Sequence, residues 1–212
     1  MPHYTIPAQG MDVPAWFGKL PGTGDFAQRR LAPDFVEVWD HWLQTGLQHL
    51  RGGRDDWLAH YLNAPLWFFA LGPQVIGANP WVGVLMPSVD SVGRYFPLTL
   101  AIELVRGDEV ATQHTLARIH CWWHQSAKAA MTALDSNMDA ARFEASLFAL
   151  FGEPSAAEFA GVSLSELPAQ GTSSWLVNVG TPDAVIHTIP HLPTVGGFEV
   201  LFGYANVAHA QR

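Results

Sequence analysis

Three short apolar segments, "PLWFFALG" (65–72), "WVGVLMP" (81–87) and "PLTLAIELV" (97–105), constrain the fold more than any other feature of this chain. Each is rich in aromatic or β-branched residues and bounded by Gly, Pro, Asn or Ser, so each reads as a strand rather than a helix. Their short connections predict an antiparallel three-stranded meander. The stretch "VGVLMPSVDSVGRYFPL" (82–98) then becomes the turn between its second and third strands. Pro87, Ser88, Asp90, Ser91 and Gly93 are turn formers. Arg94 is not required by a turn, and a guanidinium at a strand end is suited to bridging carboxylates, Asp25 of the same chain or one on a partner.

Around the meander, "VPAWFGKL" reads as a first strand ending at Pro21, followed by the loop "PGTGDFAQRRLAP" with the adjacent Arg29 and Arg30. Phe35, Val38, Trp39, Trp42, Leu43 and Leu50 recur at helical spacing from Pro33, and Gly52 and Gly53 end that helix. A short helix is expected from Arg54, with the adjacent Asp55 and Asp56 serving as helix-start charge. A longer one is expected over 108–134, capped by Asp108, and another over 139–151. "SSWLVNVG" reads as the last strand, while "LPTVGGFEVLFGYA" favours a short helix weakened by its paired glycines. Strands, helices and a strand without regular alternation give an α+β domain, an antiparallel sheet of about five strands covered by helices. At 212 residues the chain reads as a single domain over 1–212, residues 1–12 being a loose lead-in.

Composition narrows the function. A net charge of −8 with 11 Lys and Arg disfavours a phosphate-tracking nucleic-acid binder. Hydrophobic residues make up 49% of the chain, which places it among folded proteins, yet no apolar run approaches the length of a membrane span and the N-terminus lacks a secretory pattern. No direct membrane insertion is expected. The single cysteine, Cys121, precludes an internal disulfide and fits a reducing compartment, so the expected location is the cytoplasm. Eight tryptophans, Trp39, Trp42, Trp57, Trp67, Trp81, Trp122, Trp123 and Trp175, fall mostly at predicted core positions, with a few available as partner anchors.

Candidate chemistry is sparse. "GKLPGTGD" (18–25) invites a phosphate-loop reading, but Lys19 precedes the glycines instead of opening a helix after them, and "GTGDFA" fills only part of a dinucleotide fingerprint. The plainer reading is a glycine-permitted turn with Lys19 and Asp25 in solvent. His120 and His124 share one side of a helix in "IHCWWH" and are weak zinc candidates, without the glutamate of H-E-x-x-H. Ser88 beside Asp90 is not in a nucleophile elbow, and a base would have to come from afar, as from His187 or His191. No cofactor is expected. A hydrolase or phosphate-handling enzyme using the 18–25 and 88–94 loops stands as the alternative to a binding protein.

Three segments, "WFGKLPGTGDFAQRRL" (16–31), "FVEVWDHWLQ" (35–44) and "WVGVLMPSVDSVGRYFPLTL" (81–100), followed by "SSWLVNVG", closely resemble the TagF/ImpM family of type VI secretion-associated proteins. The resemblance is strong over the first half of the chain and weaker beyond it. It implies a mixed α/β sandwich with a longin-like flavour and a non-enzymatic cytoplasmic accessory protein. Such a protein acts after translation as a repressor of secretion-system assembly, engaging the system's forkhead-associated scaffold protein. Lys19, Gly24 and Asp25 match its first motif; Ser88, Asp90, Gly93 and Arg94 match its second. Together with Arg29 and Arg30, these are the candidate partner-binding or loop-bracing residues. "SSWLVNVG" departs from the family's more tryptophan-rich stretch at that strand.

Overall fold

The computed structural model describes residues 3–8, 12–107, 114–152, 164–179 and 184–204. Its elements, in chain order, are β1 (Tyr4–Thr5), β2 (Ala15–Gly18), β3 (Ala27–Arg29), α1 (Pro33–Gly53), α2 (Trp57–Asn63), β4 (Trp67–Leu71), β5 (Trp81–Met86), β6 (Leu98–Glu103), β7 (Val105–Arg106), α3 (Thr115–Asp135), α4 (Ala140–Gly152), β8 (Thr172–Val177), β9 (Val185–Pro190) and α5 (Val195–Leu201).

The meander forms as its apolar runs predict: β4 pairs with β5 and β5 with β6, all antiparallel. It is the centre of a seven-stranded antiparallel sheet in the order β3-β2-β6-β5-β4-β8-β9. The fold is α+β, and the sheet is wider than the expected five strands. The two extra strands lie at its edges, where β3 is largely exposed and β9 almost wholly so. Edge strands bury little, so they lack the apolar run that betrays a central strand. For the same reason β8 is not the last strand. Part of the lead-in is ordered too: Tyr4 and Thr5 pair with β7, and Arg118 donates to Thr5 Oγ1 and the Pro7 carbonyl.

Both faces of the sheet are covered, which explains why the central strands read as continuous apolar runs and not as alternation. Trp16, Val82, Val84, Leu100 and Ile102 face one core with Trp122, Trp123, Phe143 and Leu147 of α3 and α4. Phe17, Trp67, Phe69, Trp81, Leu85 and Trp175 face the other, with Phe35 and Trp39 of α1, Tyr61 of α2 and Phe198 of α5. Seven of the nine tryptophans are buried, while Trp42 and Trp57 are half-buried. At roughly 1.5–3 kcal/mol for each large apolar side chain buried, these two cores are the main stabilising term. The polar edge of buried Trp39 finds an acceptor, Nε1 donating to Thr99 Oγ1 at 2.9 Å.

Helix α1 runs through Gly52 and Gly53 and ends at Arg54, so the glycines lie inside its last turn. Helix α3 begins at Thr115, later than expected, and the expected cap Asp108 lies outside the described residues. The paired glycines do not prevent α5, whose Phe198 and Leu201 are buried. Among the described residues no helix is long and apolar enough to cross a membrane.

Candidate functional site: a braced loop pair and the cleft beside it

The two polar loops singled out in the sequence meet at one end of the sheet. Strand β2 pairs with β6, so the loop leaving β2 and the loop entering β6 emerge side by side. Gly18 ends β2 with φ of +135°, and a Cβ there would lie 2.1 Å from the Pro97 carbonyl oxygen, so only glycine allows this approach. The turn it makes sends Lys19 inward. Lys19 is 3% exposed and Asp90 3%, and their side chains form a buried ion pair. The expectation of a solvated Lys19 is therefore corrected: its ammonium is held in the fold, 4.8 Å from the centre of the Phe26 ring.

Asp90 organises the second loop. Its Oδ1 accepts the Val92 N–H (3.1 Å) and the Arg94 N–H (2.8 Å), and its Oδ2 accepts Arg94 Nε at 2.7 Å as well as Lys19 Nζ. The Asp90 N–H reaches the Arg94 carbonyl and the Gly93 N–H the Asp90 carbonyl, with Gly93 at φ of +81°. Burial alone would raise the Asp90 carboxyl. The hydrogen bonds from Lys19, Arg94 and Val92 outweigh it and hold the group well below the usual carboxylate range.

Arg94 closes the arrangement by donating Nη2 to the Gly24 carbonyl, while the Ser91 N–H donates to the Thr23 carbonyl at 3.1 Å. Arg94 thus holds Asp90 and the backbone of the neighbouring loop. The Asp25 pairing offered from sequence does not form: Asp25 is exposed and accepts the N–H of Phe26. The first loop is also docked on the far side, where the Gly22 N–H meets the Met138 carbonyl and Thr23 Oγ1 accepts the Ala140 N–H.

Ser88 is buried, and its hydroxyl donates to the Lys19 carbonyl at 2.7 Å. Tyr61 donates its hydroxyl to the Ser88 carbonyl (2.8 Å) and accepts the Ser88 N–H (2.9 Å); burial pushes the phenol pKa up, so it stays a donor. Neither His187 nor His191 is a partner of Ser88. The serine is a joint between loops, and among the described residues its hydroxyl meets the Lys19 carbonyl and not the base that a nucleophile needs.

Arg29 and Arg30 do not join this group. Arg29 donates to the Gln28 carbonyl, and Arg30 pairs with Glu144 of α4, whose Oε2 also accepts Trp16 Nε1 at 2.8 Å. His120 and His124 part company as well: the first is buried, which lowers its pKa and favours the neutral imidazole, and the second is exposed. Among the described residues no group of three His, Cys, Asp or Glu side chains is gathered as a metal site. Asp56, read as helix-start charge, makes no side-chain cap and instead accepts the Tyr204 hydroxyl at 2.8 Å.

Beside the braced loops lies an open cleft of about 630 Å³, with Lys19, Phe26 and Arg94 on one side and Arg51, Trp57 and Gln48 on the other. Arg51 donates Nη2 to the Tyr95 carbonyl at 2.8 Å and lies 4.9 Å over the Trp57 ring. Sequence reading missed Arg51, Gln44 and Gln48. Their spacing on α1 sets them on one polar stripe, which is legible, but the loop wall opposite is created only by the fold.

The TagF N-terminal domain family, described as type VI secretion system-associated, matches residues 15–150, a span holding both loops and α1. Among solved structures the chain is similar to the crystal structure of PA0076 from Pseudomonas aeruginosa PAO1, with a TM-score of 0.69 and 28% identity over 92% of this chain and 96% of that one. No curated protein matches it. The chain belongs to the TagF family of type VI secretion system-associated proteins.

Proposed function

We propose that this protein is a non-enzymatic regulator of type VI secretion, a cytoplasmic repressor of assembly that acts after translation by binding the system's forkhead-associated scaffold protein. One observation carries the binding reading over the enzymatic one. The residues on which the enzymatic alternative would rest, Ser88, Asp90 and Lys19, are engaged in bracing: Ser88 on the Lys19 carbonyl, Asp90 on Lys19 and Arg94. A hydrolase needs a nucleophile with a base in reach, and a phosphate site built on Lys19 needs that ammonium uncommitted, whereas it is paired with Asp90. Rigid loops at a strand end instead favour recognition, because little conformational entropy is lost when they meet a partner.

The test is overexpression in the native cell, measuring export of the system's tube protein, with affinity capture of the scaffold. Reduced export with scaffold captured is the expected result. Unchanged export with no scaffold captured overturns the reading.

A further inference from the structure

The braced loops use up Lys19 and Asp90, but the cleft beside them carries charge that the fold leaves unspent. Arg51 commits Nη2 to the Tyr95 carbonyl, and Arg94 commits Nε and Nη2; among the described residues, their remaining N–H groups meet no acceptor. No Asp or Glu lines the cleft. In a chain with 19 acidic against 11 basic residues, a cleft lined by Lys19, Arg51 and Arg94 keeps a net positive charge even with the Asp90 carboxylate paired to Lys19 and Arg94, a local reversal of the molecule's charge. Its walls between the cations are apolar and aromatic, from Phe26, Trp57, Tyr95 and Phe96; Gln48 adds an amide that can both donate and accept, while Gln44 donates Nε2 to Asp40 Oδ2 at 2.6 Å.

We propose that this cleft docks an acidic segment of a protein partner, its carboxylates on Arg51 and Arg94 and a neighbouring aliphatic or aromatic side chain against Trp57 and Tyr95. Arg51, held by the Tyr95 carbonyl and the Trp57 ring, and Arg94, held by Asp90 and the Gly24 carbonyl, are pre-organised for contact with carboxylates. The cleft is open along one side. Small-molecule sites enclose most of their ligand, whereas a protein segment brings its own surroundings to cover the rim. The inference rests on the reading of the chain as a binding protein and supplies the chemistry of its site.

The experiment is a random-peptide display selection on the immobilised full chain, followed by polarisation titrations of a fluorescein-labelled recovered peptide. Recovered peptides should be rich in Asp or Glu next to Leu, Phe or Trp, and their binding should weaken as salt rises. Arg51→Glu should reduce affinity by about 10-fold or more. Because Arg51 also touches Tyr95 and Trp57, a second variant, Gln44→Glu with Gln48→Glu, cancels the cleft's positive charge from two exposed positions and should weaken binding comparably. Failure to recover peptides, recovery without acidic bias, affinity indifferent to both variants, or displacement by ATP or inorganic phosphate alone would each overturn the proposal.

The secretion assay separates this from the regulator reading. If wild type and Arg51→Glu both repress export, the cleft is the wrong surface and the regulator stands. If wild type leaves export unchanged while acidic peptides still require Arg51, the regulator reading fails and the cleft stands.

Discussion

Two ion pairs fasten the β2–β3 hairpin, one at each end, and they differ in almost everything except chemistry. At the loop end Lys19 and Asp90 have side chains 4% and 0% exposed. At the other end Arg30 and Glu144 are 31% and 21% exposed. Both carboxyls are held below their usual range, in each case because hydrogen bonds overcome burial. Water can take the place of a lost partner at Arg30 but not at Lys19. A buried pair is therefore a weak source of net stability but a severe liability when halved, whereas a half-exposed pair is mild in both respects.

Halving the buried pair gives the largest expected effect. Asp90→Asn keeps an acceptor for the Val92 and Arg94 N–H groups but leaves the Lys19 ammonium unpaired, and should cost about 3–5 kcal/mol in urea unfolding. Lys19→Met with Asp90→Asn removes the stranded charge and should recover more than about 1 kcal/mol of that loss. A double variant no better than Asp90→Asn would mean that the loop hydrogen bonds, not the buried charge, make this end costly.

At the other end the larger cost lies in the tryptophan. Glu144→Ala strands the Nε1–H of fully buried Trp16 as well as breaking the pair, and should cost about 1–3 kcal/mol. Arg30→Ala leaves the Trp16 bond intact and should cost under about 1 kcal/mol. Equal losses would show that the ion pair, and not the satisfied indole, fastens α4 to the hairpin.

Acid should weaken both ends. A carboxyl whose folded pKa is depressed contributes stability that is full above its unfolded value and is lost as pH falls through the folded one. Both groups therefore weaken the fold below about pH 4, near the ordinary carboxylate range. In Glu144→Gln the melting temperature should decline less with falling pH than in wild type. His120, depressed by burial, adds a loss of the same sign that begins as pH drops below 6.5. An unchanged profile in Glu144→Gln would remove that end from the acid response.

How far these features could be read in advance follows the same line between local and assembled. The meander was legible because both faces of β4, β5 and β6 are buried and their side chains are apolar save for Thr99 and the terminal Glu103 of β6. The edge strands β3 and β9 were not, since exposed strands carry no such run. Arg94 stood out as a residue that no turn demands. Its carboxylate was four residues away in Asp90, yet Asp90 was read as a turn former and a general loop-bracing or partner-binding candidate, not as the partner of Arg94, and nothing local announces that a lysine 71 positions earlier is folded against it. Arg51 shows the same limit: its helix face is visible in sequence, but the cleft requires the loop opposite.

The smallest effect concerns Arg94, which shares Asp90 with Lys19 but from the surface, its own side chain being 55% exposed. Arg94→Lys keeps a positive charge near Asp90 while a single ammonium can no longer serve both the Asp90 carboxylate and the Gly24 carbonyl. If Lys19 is the counter-ion that matters, the loss should be about 0.5–1 kcal/mol, one exposed hydrogen bond, with no change in the urea m-value. A loss approaching that of Asp90→Asn would make Arg94 the principal partner and the buried lysine secondary. It would also move the contrast from burial to geometry, because the guanidinium's fork, not its exclusion from water, would then be what joins the two loops.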